Sequence, residues 1–187
     1  MEKVILERLI RGVNKMKICL DIGYTGEYAP RVCEDGQTEL DICVEIVNFL
    51  SAELQNSGHE VVFTREDTGS CKDDISRINI ANAHKGDYLL SIQCNSIGSQ
   101  KVRGAEIVYS SGNLKGELLA HRIQKKLRRL NYTEDVGIRN GHFLMLQLAQ
   151  MPAVLVQCRY ITSTEESIIL SDIQWQKKIA EAIAESL

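Results

Sequence analysis

An α/β domain with a mainly parallel or mixed sheet of about six strands and helices on both faces is the fold this sequence predicts. Strand-like and helix-like segments alternate along most of the chain. Two strand-like runs, YLLSIQ at 88–93 and AVLVQC at 153–158, are apolar almost throughout, as strands are where both faces of the sheet are covered. The 187 residues, 44% hydrophobic and 25% charged, suit one domain with a substantial core, and no repeat, linker or low-complexity tract divides it.

Residues 1–15, MEKVILERLIRGVNK, form an amphipathic N-terminal extension, with Val4, Ile5, Leu9 and Val13 as its apolar stripe. The domain proper runs over 16–187. KICLDI at 17–22 is the first strand. Gln37 to Asn56 has the helical period, with Leu40, Cys43, Val44, Val47, Leu50 and Leu54 on one face. Thr38 followed by Asp41 resembles a capping box at its start, and Gly58 marks its stop. EVVFT at 60–64 is the second strand. Asp73 to Ala83 reads as a helix with Ile75, Ile78 and Asn82 along one side.

After YLLSIQ, the alternation of GAEIVYS at 104–110 predicts an edge strand. Leu114 to Leu130 is a helix with Leu119, Ile123, Leu127 and Leu130 inward. LMLQ at 144–147 reads as a short strand and AVLVQC as the last buried one. Trp175, Ile179, Ile183 and Leu187 carry the terminal helix.

With 22 basic and 25 acidic residues the net charge is −3, which points to neither a nucleic-acid nor a membrane partner. Lys125, Lys126, Arg128 and Arg129 are the solvated face of a helix. No apolar stretch reaches the length of a membrane span, and the charged opening residues lack the centre of a secretion signal, so a cytoplasmic location is expected unless lysis releases the protein. The six cysteines show no CxxC pair and read as free thiols.

Three neutral polar residues follow apolar runs at the strand ends, where α/β sheets place their sites: Tyr24 in DIGYTG, Gln93 in SIQCNS and Gln157 in PAVLVQC. Glu39 opens the helix after the first strand, one turn before Cys43. By position alone it is a carboxylate stabilised by a helix N-terminus.

A series of motifs occurs in order. LDIGYTG resembles an opening DPGHGG turn, QTELD a helix-starting Glu, and GHEVVFTRED a G-x-x-V-x-x-T-R-x-x-D stretch. Arg77 with Ala81 and Asn82 fits R-x-x-x-A-N, SIQCNS resembles S-I-H-A-N, and GAEIVYS resembles the G-x-E strand that follows it. EDVGIRN and PAVLVQCRYITSTEE resemble the closing PAVLVE-x-G-F-I-S-N-x-x-E region. On these residues, Lys17 to Leu187 resembles the zinc-dependent N-acetylmuramoyl-L-alanine amidases, the amidase_3 family of peptidoglycan hydrolases.

The resemblance implies a zinc held by two His and one Glu, and a Glu general base after the last strand. Carried over by position, only Glu39 remains as a ligand. The His positions fall on Tyr24 and Gln93, and the base position on Gln157. Amide and phenol oxygens are poor zinc ligands, and Gln157 cannot accept a proton near neutral pH. The expectation is a catalytically inactive homologue without bound zinc. It would bind a muropeptide or peptidoglycan fragment, or a cell-wall-related protein, through Tyr24, Glu39, Gln93, Gln157 and Arg159.

Ile22 and Thr25 stand where the family has Pro and Gly, so a reshaped first turn is expected. Arg159 and Tyr160 replace the usual Gly-Phe. For Arg159 three readings stay open: a partner for Glu39, a contact to an acidic muropeptide stem, or a surface cation. Two readings of the cleft also stay open, one persistent and hydrogen-bonding, the other closed by Tyr24. The alternative function is an active amidase, of host or phage type, cleaving the lactyl–L-Ala amide with a rebuilt metal site in which His142 is the substitute ligand.

Overall fold

The structure, a computed structural model, describes residues 14–23, 32–33, 36–65, 73–96, 101–130 and 137–187. Strands β1 (Lys17–Ile22), β2 (Glu60–Phe63), β3 (Tyr88–Asn95), β4 (Glu106–Tyr109), β5 (Gly137–Asn140) and β6 (Ala153–Tyr160) form one sheet in the order β2-β1-β3-β6-β4-β5. The first four strands in that order are mutually parallel. β4 runs antiparallel to β6, and β5 pairs parallel with β4. The helices are α1 (Glu39–Asn56), α2 (Asp74–His84), α3 (Leu114–Leu127), α4 (Leu144–Leu148), α5 (Thr164–Ser171) and α6 (Ile173–Ala184).

Strand alternation divides the interior into two cores. On one face α1, α3 and α6 pack Ile42, Ile46, Leu50, Ile123, Ile179 and Ile183 against Leu90, Ile92, Val154 and Val156. On the other, α2 and α4 pack Ile78, Ala81, Met145 and Leu146 against Leu89, Val108 and Leu155. Each wholly buried Leu or Ile contributes roughly 1.5–3 kcal/mol of transfer free energy, so the larger α1 core dominates stability. No helix among the described residues is long and apolar enough to cross a membrane.

The predicted capping box is present. The Asp41 N–H donates to Thr38 Oγ1 at 3.2 Å, and the Thr38 N–H donates to Asp41 Oδ2 at 2.9 Å. Gly58, with φ of 93°, provides the left-handed turn that ends α1.

Several elements differ from the expectations. β4 is an inner strand, because the short, polar GIRN segment pairs with it as β5 and forms that edge. LMLQ is helical: Met145 and Leu146 are both buried while Leu144 and Leu148, four residues apart, are both exposed. The buried stripe of α1 includes Ile42 and Ile46, and leaves Leu40 and Val44 half-buried. On α2, Ile75 is exposed and Arg77 buried, because the helix covers a buried carboxylate. Helix α5 and strand β5 carried no periodic apolar signal. Leu130 lies half-buried in the 3₁₀ turn that follows α3, and Leu187 lies beyond the end of α6. Residues 1–13 of the N-terminal extension, and Tyr24, Thr25 and Cys71, lie outside the described residues.

Candidate functional site

A buried polar network supports the carboxyl ends of the central strands. Asp21 of β1 is fully buried and stands in register with Ser91 of β3. Its Oδ1 accepts Thr64 Oγ1 at 2.5 Å and Arg77 Nε at 2.8 Å, and its Oδ2 accepts Ser91 Oγ at 2.7 Å. Arg77 also reaches Asp74, with Nη2 to Oδ1 at 2.8 Å. A carboxylate so far from water is tolerated only when paired and fully hydrogen-bonded, and these donors meet that need.

Two residues further along β3 lies a polar row. Gln93 of β3 is directly opposite Gln157 of β6, and Gln157 is directly opposite Glu106 of β4. Residues paired across strands share a face, so the three side chains line the α2 side of the sheet. Asn95 Nδ2 donates to Gln157 Oε1 at 2.8 Å. Arg139 grips Glu106 with two bonds, Nε to Oε1 at 2.9 Å and Nη2 to Oε2 at 3.0 Å. Burial raises the pKa of the Tyr160 phenol, and the Glu106 charge adds to the shift. The row therefore presents neutral amides, with its one carboxylate already paired.

Gly23, the residue after β1, closes this row. Its N–H donates to the Ile92 carbonyl at 2.8 Å. A Cβ there would stand 2.5 Å from Gln93 Nε2 and 2.8 Å from Ser91 Oγ, so glycine leaves room for the Gln93 amide in this position. An open cavity of about 660 Å³ lies at the opposite end of β6, lined by Asn113, Leu114, Met151 and Pro152, and touches none of the row.

The other candidate residues are dispersed. The Glu39 carboxylate lies buried with the thiols of Cys43 and Cys94, the three ligand atoms within 4.8 Å of one another. Its Oε1 accepts the Cys94 N–H at 3.2 Å. Cys94 belongs to the α1 core, so Glu39 points to the face of β3 opposite Gln93. The pairing is nonlocal, and only the Glu39–Cys43 spacing of one helical turn hinted at it. Arg159 is buried and ion-paired with Glu166, and its guanidinium lies 5.3 Å from the Trp175 ring centroid. Of the three readings left open, the surface cation does not hold, because Arg159 is buried; a bulge after the Gln93–Gln157 pair alters the course of β6 there. His142 is exposed, bonds Gln147 at 3.3 Å, and joins no cluster of ligating side chains among the described residues.

The profile of the Amidase_3 family, N-acetylmuramoyl-L-alanine amidase, matches residues 18–187. The chain belongs to the Amidase_3 family. Among curated relatives, the germination-specific N-acetylmuramoyl-L-alanine amidase of Bacillus subtilis is 28% identical over 160 residues, covering 78% of this chain and 67% of the relative. The uncharacterized protein YqiI of the same organism is 29% identical over 173 residues, covering 91% and 82%. Among solved structures, the CwlD amidase of Clostridioides difficile, in complex with the GerS lipoprotein, superposes with a TM-score of 0.81 at 26% identity, covering 92% of this chain and 96% of that one. The catalytic domain of CwlV from Bacillus (Paenibacillus) polymyxa gives 0.83 at 25% identity, covering 91% and 95%.

Amidase_3 enzymes are generally zinc-dependent, and the described residues at the expected zinc positions do not fit the ion. Tyr24 lies outside the described residues, and Gln93 offers a neutral amide oxygen; at the general-base position the Gln157 oxygen is already bonded to Asn95. Glu39 is turned to the other face of β3, with the Cys94 N–H on its carboxylate. No imidazole faces the row among the described residues.

Proposed function

We propose that this chain is an amidase-like cell-wall protein that keeps the Amidase_3 fold without its hydrolytic chemistry, and binds muropeptide or peptidoglycan fragments along the row of Gln93, Gln157 and Glu106. The observation that carries this reading is the state of Gln157. It stands where the family resemblance places the general base, its oxygen occupied by the Asn95 amide at 2.8 Å. An amide cannot take up the proton of an attacking water.

The same amides suit recognition. A primary amide both donates and accepts, and two side by side complement the N–H and C=O of a peptide bond. Arg139, half exposed while it holds Glu106, places a cation at the rim, within reach of the carboxylates of a stem peptide. A protein partner is the second reading, supported by the similarity to CwlD, which was solved with a lipoprotein.

Calorimetric titration with a soluble muramyl peptide tests the proposal. Binding to the wild-type chain is expected, and replacing both glutamines, Gln93→Ala with Gln157→Ala, should weaken it at least about tenfold, since each lost hydrogen bond is worth about 1 kcal/mol. Equal binding by the double variant would sink the cleft-based reading.

A further inference from the structure

Glu39, Cys43 and Cys94 meet on the face of β3 away from the row. Glu39 and Cys43 are four residues apart on α1, so their side chains lie on one helical stripe. Cys94 projects from β3 toward that stripe. All three are buried, with their ligand atoms within 4.8 Å of one another. Cys158, buried at the bulge of β6, belongs to the same core as Cys43 and Cys94.

We propose that Glu39, Cys43 and Cys94 form a structural site for a thiophilic divalent cation such as zinc, with Cys158 placed as the fourth ligand. Zn–S bonds of about 2.3 Å in a tetrahedron hold ligand atoms about 3.5–3.8 Å apart, so a contraction of about 1 Å completes the first three. Two thiolates select zinc, cobalt or cadmium over magnesium or calcium, which take oxygen ligands.

The surroundings make the cation a compensating charge. Cys94 and Cys158 are at most 2% exposed, where thiol protons are not given up without a countercharge beside them. A bound cation displaces those protons and neutralises the thiolates in a core that cannot solvate them. Because the cluster is enclosed, the ion would have no open position for water, so its role is structural and not hydrolytic. The site shares only Glu39 with the expected family site and does not depend on the glutamine row.

The test uses the full chain, reduced and stripped of metal by a chelator. Cobalt titration should give tetrahedral visible bands and thiolate-to-cobalt charge transfer saturating at one ion per chain, displaced by zinc. Cys43→Ser and Cys94→Ser should each weaken cobalt binding at least about a hundredfold, the upper range for losing merely a ligand's supporting partner. Cys158→Ser should weaken it too, and His142→Ala should leave it unchanged. Cadmium NMR of the wild-type chain counts sulfur ligands directly, which keeps the test decisive if a serine variant fails to fold. Absence of charge transfer, an oxygen-and-nitrogen cadmium shift, or unchanged cobalt binding in Cys94→Ser would overturn the site.

Discussion

Gln93 and Gln157 stand directly opposite each other on the two central parallel strands, and Gly23 leaves just enough room for the Gln93 amide between them and β1. Gln157 is held in turn by Asn95. The row is thus a fixed, largely buried set of hydrogen-bonding groups at the carboxyl ends of β3 and β6, the end where α/β folds bind their ligands.

Gly23→Ala should disturb this surface more than the fold. The added Cβ, 2.5 Å from Gln93 Nε2, must push that flexible amide aside. Muropeptide affinity by calorimetry is expected to fall severalfold, while the urea midpoint moves far less than in variants of the buried network. An unchanged affinity would remove Gln93 from the binding surface.

Arg77→Ala leaves Asp21 buried without its cation. A charge abandoned in the interior costs about 3–5 kcal/mol, so urea unfolding should show a loss of that order. Asp21→Asn combined with Arg77→Met should recover part of it, because no unpaired charge then remains. A single-variant loss below about 1 kcal/mol would show that water reaches the network.

The Arg159–Glu166 pair makes a similar test at the end of β6, with a different functional readout. Glu166 also accepts the Gly104 N–H at 2.9 Å, tying the loop before β4 to α5. Arg159→Met should destabilise by about 3–5 kcal/mol, and Arg159→Met with Glu166→Leu by clearly less. Muropeptide affinity should stay within about twofold in any Arg159 variant that folds, since the guanidinium faces Glu166 and Trp175.

Asp73 caps α2, and the Ser76 N–H on its carboxylate, at 2.7 Å, is the chief cause that lowers its pKa. Folding therefore favours the charged form. The stability this adds is present above the ordinary value of 3.8 and is lost as pH falls through the lower native value. Asp73→Asn should unfold at lower urea than wild type near neutral pH, and the gap should close in acid. A gap that widens on acidification would reverse the sign.

Much of this architecture was legible in the residues. The apolar runs of β1, β3 and β6 could only be covered strands, and Thr38 with Asp41 announced the start of α1. GIRN escaped because it is short and polar, and pairs with a strand 31 residues away. The LMLQ segment has too few residues to separate a strand from one turn of helix. Gln93 and Gln157 were legible as site positions, but their register with Glu106 is a property of the sheet. The burial of Arg159 against Glu166 was not legible, because a β-bulge leaves no mark in the sequence. The meeting of Glu39 with Cys94, 55 residues apart, needed the packing of α1 onto β3.

The most direct measurement is hydrolysis itself. The protein, supplied with zinc, is incubated with a soluble muramyl peptide, and mass spectrometry follows release of the free peptide beginning at L-alanine. With an amide at Gln157 and no imidazole facing the row among the described residues, binding without release above the buffer control is expected. Release over multiple turnovers would contradict the account, and would mean that a working zinc site is assembled from other residues of this chain.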